Sequence, residues 1–383
     1  MKRRQFIKIL GSSIVLMQSP KLVFARSNTI LDTSQPKRNF VWIILRGALD
    51  SMHTIIPEFD SEYKQLRPNL SKQIKLPTLP IDNGFALHPA LTNLHQWYQQ
   101  GQFAPIVAVS TGYNSRSHFD GQDYLESGSG TQNVKTGWLA RALDQKNSSA
   151  ISITNSTPIT LRGSDKVNTW FPSNFKSANA DVFAKLETMY EEHPTLLENL
   201  HHGLALKRKA QNIKSNKGNR NFATLTHACG KLLIASPNMD CAMLEMTGWD
   251  THNAQSSRLE RQLSELDKGL QALKGSLAEQ WSNTVVAIAT EFGRTAKENG
   301  TGGTDHGTGS ALFLAGGAIN GGKVLGKWPG LQHDQLFQQR DLQPTSNTFD
   351  WLATVLSQHW QLSSKQIAAS FPHATLYSEK LVV

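Results

Sequence analysis

Thr284-Val-Val-Ala-Ile-Ala-Thr-Glu-Phe-Gly-Arg294 is the stretch that decides the fold. An unbroken apolar run rich in β-branched residues stops abruptly at Glu291 and Arg294. Continuous apolar character, without strand-like alternation, marks a strand buried on both faces of a parallel sheet. Similar runs occur at 40–45, 103–110, 241–246 and 311–315. In an open α/β sheet, ligands bind outside the carboxyl ends of the strands. Polar residues placed there are therefore site candidates.

Between these runs lie helical segments. The clearest covers 257–281, where Leu259, Leu263, Leu266, Leu270, Leu273 and Leu277 form one apolar stripe. Ser257 and Glu260 offer a capping box at its start. Its place between two strands suits a right-handed βαβ crossover, and the stripe is too short for a coiled coil. Residues 181–222 are helical in pattern but polar and basic, with Lys207-Arg-Lys209 and His201-His202, and read as an inserted helical cap. The expected fold is a three-layer α/β/α sandwich with a mostly parallel central sheet.

Three clusters carry the chemistry. They are Gly248-Trp-Asp-Thr-His252, Glu291-Phe-Gly-Arg294 and Gly303-Thr-Asp-His-Gly307. Carboxylate oxygen and imidazole nitrogen together suit a divalent cation, Zn or Mn first, with Mg or Ca as alternatives. Two earlier loops complete the set: Arg46-Gly-Ala-Leu-Asp50 after the first strand, and Tyr113-Asn-Ser-Arg-Ser-His-Phe-Asp120 after the second. His88, His95 and His227 have no such company and read as structural.

The opening Lys2-Arg-Arg-Gln-Phe-Ile-Lys8 is a twin-arginine pattern, followed by a modest apolar segment and a small-residue cleavage site at Val23-Phe-Ala25. Residues 1–25 are expected to be a Tat signal peptide that engages the Tat translocase, with the mature chain from 26 in the periplasm or outside the cell. The apolar run is shorter than the ~20 residues that span a bilayer, so no transmembrane segment is expected in the mature chain. Loss of Lys2, Arg3, Arg4, Lys8 and Lys21 lowers the formal charge from +9 to +4. No basic block with interleaved aromatics points to nucleic acid. Cys229 and Cys241 sit in apolar runs and are expected as buried thiols rather than a disulfide.

Taken together, Arg46-Gly-x-x-Asp50, Arg116-Ser-His-Phe-Asp120, Thr136-Gly-Trp-Leu139 and the three clusters resemble the bacterial, often Tat-exported domain-of-unknown-function family 1501, related to the alkaline phosphatase and sulfatase superfamily. The resemblance spans nearly the whole mature chain, and Asp341-Leu-Gln-Pro-Thr345 resembles a sulfatase segment. It implies an alkaline-phosphatase-like fold and a two-metal site. Asp50, Asp305 and His306 would share one ion, and Asp250 and His252 would hold another. It also implies a hydroxyl nucleophile, Ser117, with Ser115 and Thr111 as rivals. Arg294 or Arg116 would clamp the anion, and Glu291 would bind a third cation or orient a ligand. The chain departs from the pattern in the close Asp250-x-His252 spacing and in lacking a later His ligand, for which His333 is the one candidate in range.

Two function classes follow. One is an exported metal-dependent hydrolase of phosphate or sulfate esters, acting on an anionic small-molecule or polysaccharide ester. The other is a non-catalytic binding or assembly protein on the same fold. A variant of the first uses bound water and leaves Ser117 dispensable.

Overall fold

The computed structural model describes residues 37–132, 135–172, 180–211 and 220–383. The expected signal peptide at 1–25 and most of the loop at 212–221 lie outside them.

Eight strands form the central sheet. They are β1 (Asn39–Arg46), β2 (Phe103–Ser110), β3 (Ser149–Ser152), β4 (Val167–Thr169), β5 (Met239–Thr247), β6 (Thr284–Ala289), β7 (Ser310–Ala315) and β8 (Ser346–Asn347). Their order is β8-β2-β7-β6-β1-β5-β3-β4. All neighbours pair in parallel except at β7, which runs antiparallel to both β2 and β6.

Strand periodicity explains the layers. Along β1, Phe40, Trp42 and Ile44 belong to one core, and Val41, Ile43 and Leu45 to the other. Successive side chains point to opposite faces, so an apolar residue at every position requires a cover on both. On one face lie α1 (Trp138–Lys146) and α2 (Thr348–His359). The other is covered by α3 (Phe222–Ala235) and α4 (Gln255–Leu277). This is the three-layer α/β/α sandwich with a mostly parallel sheet.

The six leucines of the α4 stripe are fully buried, each worth about 1.5–3 kcal/mol relative to exposure. The helix starts at Gln255, two residues ahead of the expected capping box, and its N-cap, Ala254, makes no side-chain cap bond. Gln255 is drawn in because its amide donates to the buried Asp50 Oδ2 at 2.6 Å. Within 181–222 the described residues form two helices, Ala180–Tyr190 and Pro194–Gln211, with Leu186 and Leu200 buried. Among the described residues no helix is long and apolar enough to cross a membrane. Cys229 and Cys241 are buried free thiols. Burial pushes both thiols above their ordinary range.

Candidate metal centre

Four loops meet at one edge of the sheet. They follow β1, β2, β5 and β6 at their carboxyl ends, and the last of them carries Glu291 and Arg294 as it leaves β6 and Asp305 and His306 as it enters β7. Because β7 runs antiparallel, its beginning lies at the same edge as the other strands' ends. Two glycines let these loops pack. Gly47 has φ +120°, and a Cβ there would sit 2.6 Å from the Asp250 amide nitrogen. A Cβ on Gly293 would meet the Gly309 carbonyl oxygen at 1.7 Å.

Three imidazoles and one carboxylate converge in the space so formed. His306 Nε2 lies 2.9 Å from His118 Nε2 and 2.9 Å from His252 Nε2. Asp250 Oδ1 is 3.1 Å from His252 Nε2, 3.3 Å from His306 Nε2 and 3.5 Å from His118 Nε2. His118, Asp250 and His306 offer ligand atoms that all lie within 4.8 Å of one another. His252 joins this group through its contacts to His306 and Asp250.

The outer nitrogen of each ring fixes its tautomer. His118 Nδ1 lies 2.7 Å from Glu291 Oε1. His252 Nδ1 lies 3.2 Å from Asp305 Oδ1, and His306 Nδ1 lies 3.0 Å from the Arg116 carbonyl oxygen. A carbonyl only accepts, and an ionised carboxylate only accepts. Glu291 and Asp305 are both held below the usual carboxylate range. For Glu291, burial opposes this, but the bonds from His118, Gln122 and the Gly47 amide outweigh it. For Asp305 the Asn299 amide is the leading cause, and His252 adds to it. Each Nδ1 therefore carries the hydrogen, and in the neutral rings all three Nε2 lone pairs face inward. Lone pairs 2.9 Å apart repel unless a proton on one ring or a cation lies between them. Three imidazole nitrogens with one carboxylate oxygen are a donor set that fits a divalent metal, and outer hydrogen bonds of this kind are how metal-binding histidines are oriented.

Electrostatics agree. The Glu291 hydrogen bond raises the His118 pKa, and Asp250 adds to the rise. Burial lowers that of His306. Burial opposes ionisation of Asp250, but the bond and charge of Arg294 prevail and hold it at about 2.

The remaining candidates fall in other places. Asp50 is not brought to this group. Its carboxylate is fully buried and takes Arg67 Nη1 at 2.9 and 2.8 Å on its two oxygens. Arg294 is also fully buried, donating to the Gly47, Ala48, Trp249 and Thr304 carbonyls and to Asp250 at 2.6 Å. Its fork ties the loops after β1 and β5 to its own loop and is not presented to a ligand. Arg116 has a left-handed backbone (φ +59°) and pairs with Asp341 at 2.8 Å. That pairing sets the carbonyl that orients His306. Asp305 and Glu291 stand behind histidines, at their outer nitrogens.

Among the hydroxyls, Ser117 is half-buried at the start of the helix His118–Ser127 and makes no side-chain cap bond. Ser115 is exposed, and Thr111 is buried with its Oγ1 accepting from the Tyr113 amide. His333 is exposed in a one-turn helix at His333–Gln335. Sequence reading passed over His118 as a ligand. The signal was its place in Arg116-Ser-His-Phe-Asp120, where attention went to the serine beside it. Arg67 and Gln255 carried no signal.

A cavity of about 450 Å³ lies against the carboxyl end of β5. Its lining includes Thr247, Gln262, Glu245, Glu265, Asn155 and Phe171.

The sheet, its loops and this cluster define a chain of the α/β/α class with a candidate metal site at one edge of the sheet. The chain belongs to the family described as "Protein of unknown function (DUF1501)", which it matches over residues 37–371. No curated protein matches it. Among solved structures it is similar to BT1596, a 2-O GAG sulfatase, at 11% identity and TM-score 0.42, covering 90% of this chain and 76% of that one. It is also similar to alkaline phosphatase from the Antarctic bacterium TAB5, at 12% identity and TM-score 0.35, covering 76% and 95%. A further similar structure is the C-terminal periplasmic domain of EcEptC from Escherichia coli in complex with Zn, at 10% identity and TM-score 0.34, covering 76% and 75%.

Proposed function

We propose that this chain is an exported metal-dependent hydrolase of phosphate or sulfate esters, with Zn or Mn held by His118, His252, His306 and Asp250. One observation carries the reading: ligand atoms of His118, His306 and Asp250 lie within 4.8 Å of one another, His252 Nε2 lies 2.9 Å from His306 Nε2, and each ring's Nδ1 is anchored to an acceptor. A divalent ion there supplies Lewis acidity toward an anionic ester oxygen. Glu291 and Asp305 keep their histidines in the Nδ1–H form. Arg294 keeps Asp250 ionised and braces the loops, so the ligand atoms are set in advance. Ser117 is the nucleophile of choice, since it immediately precedes His118 and its hydroxyl is not spent on capping the helix. Residues 1–25 direct the folded, loaded protein through the Tat translocase to the periplasm.

Metal analysis of the exported protein, followed by a screen of phosphomonoester, phosphodiester and sulfate substrates, tests the reading. A bound divalent ion and an ester hydrolysis abolished in His306→Ala are expected. Protein that binds no divalent ion refutes it. Ser117→Ala is expected to keep its metal and lose activity, and a fully active variant would transfer the attack to water. Lysine at both Arg3 and Arg4 is expected to retain the protein inside the cell, read by fractionation.

A further inference from the structure

The resemblance noted above implies two ions, one of them on Asp50, and the residues here do not fit the second. We infer that the centre is mononuclear, with the Arg67 guanidinium serving as a fixed internal cation for Asp50. The inference rests on the metal-centre reading and specifies how many ions that centre takes.

The coordination of Asp50 is already complete. Arg67 Nη1 donates to Oδ1 at 2.9 Å and Oδ2 at 2.8 Å. The His53 amide donates to Oδ1 at 3.1 Å and Gln255 Nε2 to Oδ2 at 2.6 Å, and the Thr304 hydroxyl, which donates to Gln255 Oε1 at 2.7 Å, lies 3.3 Å from Oδ2. A carboxylate has about four lone-pair sites, so none is left for a metal. Arg67 is equally committed, with Nε on the Ala296 carbonyl at 2.9 Å and Nη2 on that of Thr295 at 2.8 Å. Both side chains have no solvent exposure. A cation entering here would have to expel a guanidinium that also pins the loop leading to Asp305 and His306. Its positive charge would then lie unpaired in the interior, at a cost no single ligand offsets.

The companions the second ion would need are also engaged. Asp305 Oδ1 meets His252 Nδ1 at 3.2 Å and accepts from Asn299 Nδ2 at 3.1 Å. His306 directs Nδ1 to the Arg116 carbonyl and Nε2 to the cluster of histidines. Asp50 and Arg67 thus neutralise each other in the interior. There they fix the β1 loop, Gln255 at the head of α4, and the 295–304 loop against one another.

The test is elemental analysis of the full chain, with titration of metal-depleted protein by Zn(II) alone, for the wild type, Asp50→Asn and His306→Ala. One ion per wild-type chain is expected. Asp50→Asn should keep that ion with Kd within about threefold, a change under 1 kcal/mol, and His306→Ala should lose it. Two tight ions in the wild type, or an Asp50→Asn variant that binds one ion fewer, overturns the inference and leaves the hydrolase reading standing. No ion in the wild type sinks both. If Asp50→Asn does not fold, the double variant Asp50→Asn/Arg67→Gln removes both charges together. The same stoichiometry of one is expected of it, and loss of the ion would count against the inference.

Discussion

Replacing Glu291 by glutamine tests the centre most directly. Glu291 Oε1 is 2.7 Å from His118 Nδ1 and also accepts from the Gly47 amide at 2.8 Å and Gln122 Nε2 at 3.1 Å. Glutamine keeps the shape and a carbonyl acceptor but loses the charge, and a charge-assisted bond is roughly twice as strong as a neutral one. Loss of a group that orients a metal-binding histidine costs about 10–100-fold in affinity, or about 1.4–2.8 kcal/mol. Because the acceptor survives, the lower end, about tenfold, is expected for Glu291→Gln at pH 8. The pH profile adds a second signature. Glu291 raises the His118 pKa, so in the wild type a proton competes with the ion at higher pH than at an ordinary imidazole. Removing the charge brings that pKa down. As pH falls through the raised value, wild-type affinity weakens first and the gap between the two proteins narrows. Competitive titration against a chelator from pH 8 to 5 measures both effects. Unchanged affinity at pH 8, or a gap that widens with acid, would refute the assignment of His118 as a ligand held by Glu291.

Other consequences can be checked on stability. Zn(II) at 100 times its Kd should stabilise the protein by about 2.7 kcal/mol, seen as a rise in Tm that a chelator reverses. An unchanged Tm would count against a native metal site. Gly47→Ala places a methyl group 2.6 Å from the Asp250 amide nitrogen at φ +120°. A loss of about 1–3 kcal/mol is expected, together with weaker metal binding, read by urea unfolding and Zn(II) titration. Leu266→Ala, at a fully buried position of α4, should cost about 2–5 kcal/mol in the same unfolding assay without altering metal stoichiometry. Asp250 falls from an ordinary value of 3.8 to about 2 in the folded chain, so its ion pair with Arg294 stabilises above pH 3.8 and is lost as pH falls toward 2. Metal-free wild type should therefore lose stability between about pH 4 and 2 more steeply than Asp250→Asn, the difference being modest because Asp250 is partly exposed.

The main strands were legible because a strand buried on both faces leaves its mark at every residue. Runs at 40–45, 103–110, 241–246, 284–290 and 311–315 all became strands of the sheet. The short strands Ser149–Ser152, Val167–Thr169 and Ser346–Asn347 offer too few residues for any period to register. The reversed direction of β7 was hidden as well, since an apolar run does not encode its sense. Asp250, His252 and His306 stood out as acidic and imidazole groups clustered beside strand ends. His118 did not, because its partners lie 173 and 188 residues away in Glu291 and His306. The engagement of Asp50 was invisible for a similar reason. Arg67 follows it by only 17 residues, but in a connecting segment with no periodic pattern to say which way its side chain turns.

The strand order has a consequence for how this chain matures. Each neighbour of β1 in the sheet comes from beyond residue 238, and β2 is joined to the rest through β7. No nascent chain shorter than about four-fifths of these 383 residues can assemble the pocket, since His306 has not yet been made. Pairings so remote in sequence form slowly, and unfolded chains rarely hold a preformed metal site. On the proposed reading, an ion would therefore be acquired late, only once the chain has been made past His306 and the strands that flank β1 are in place.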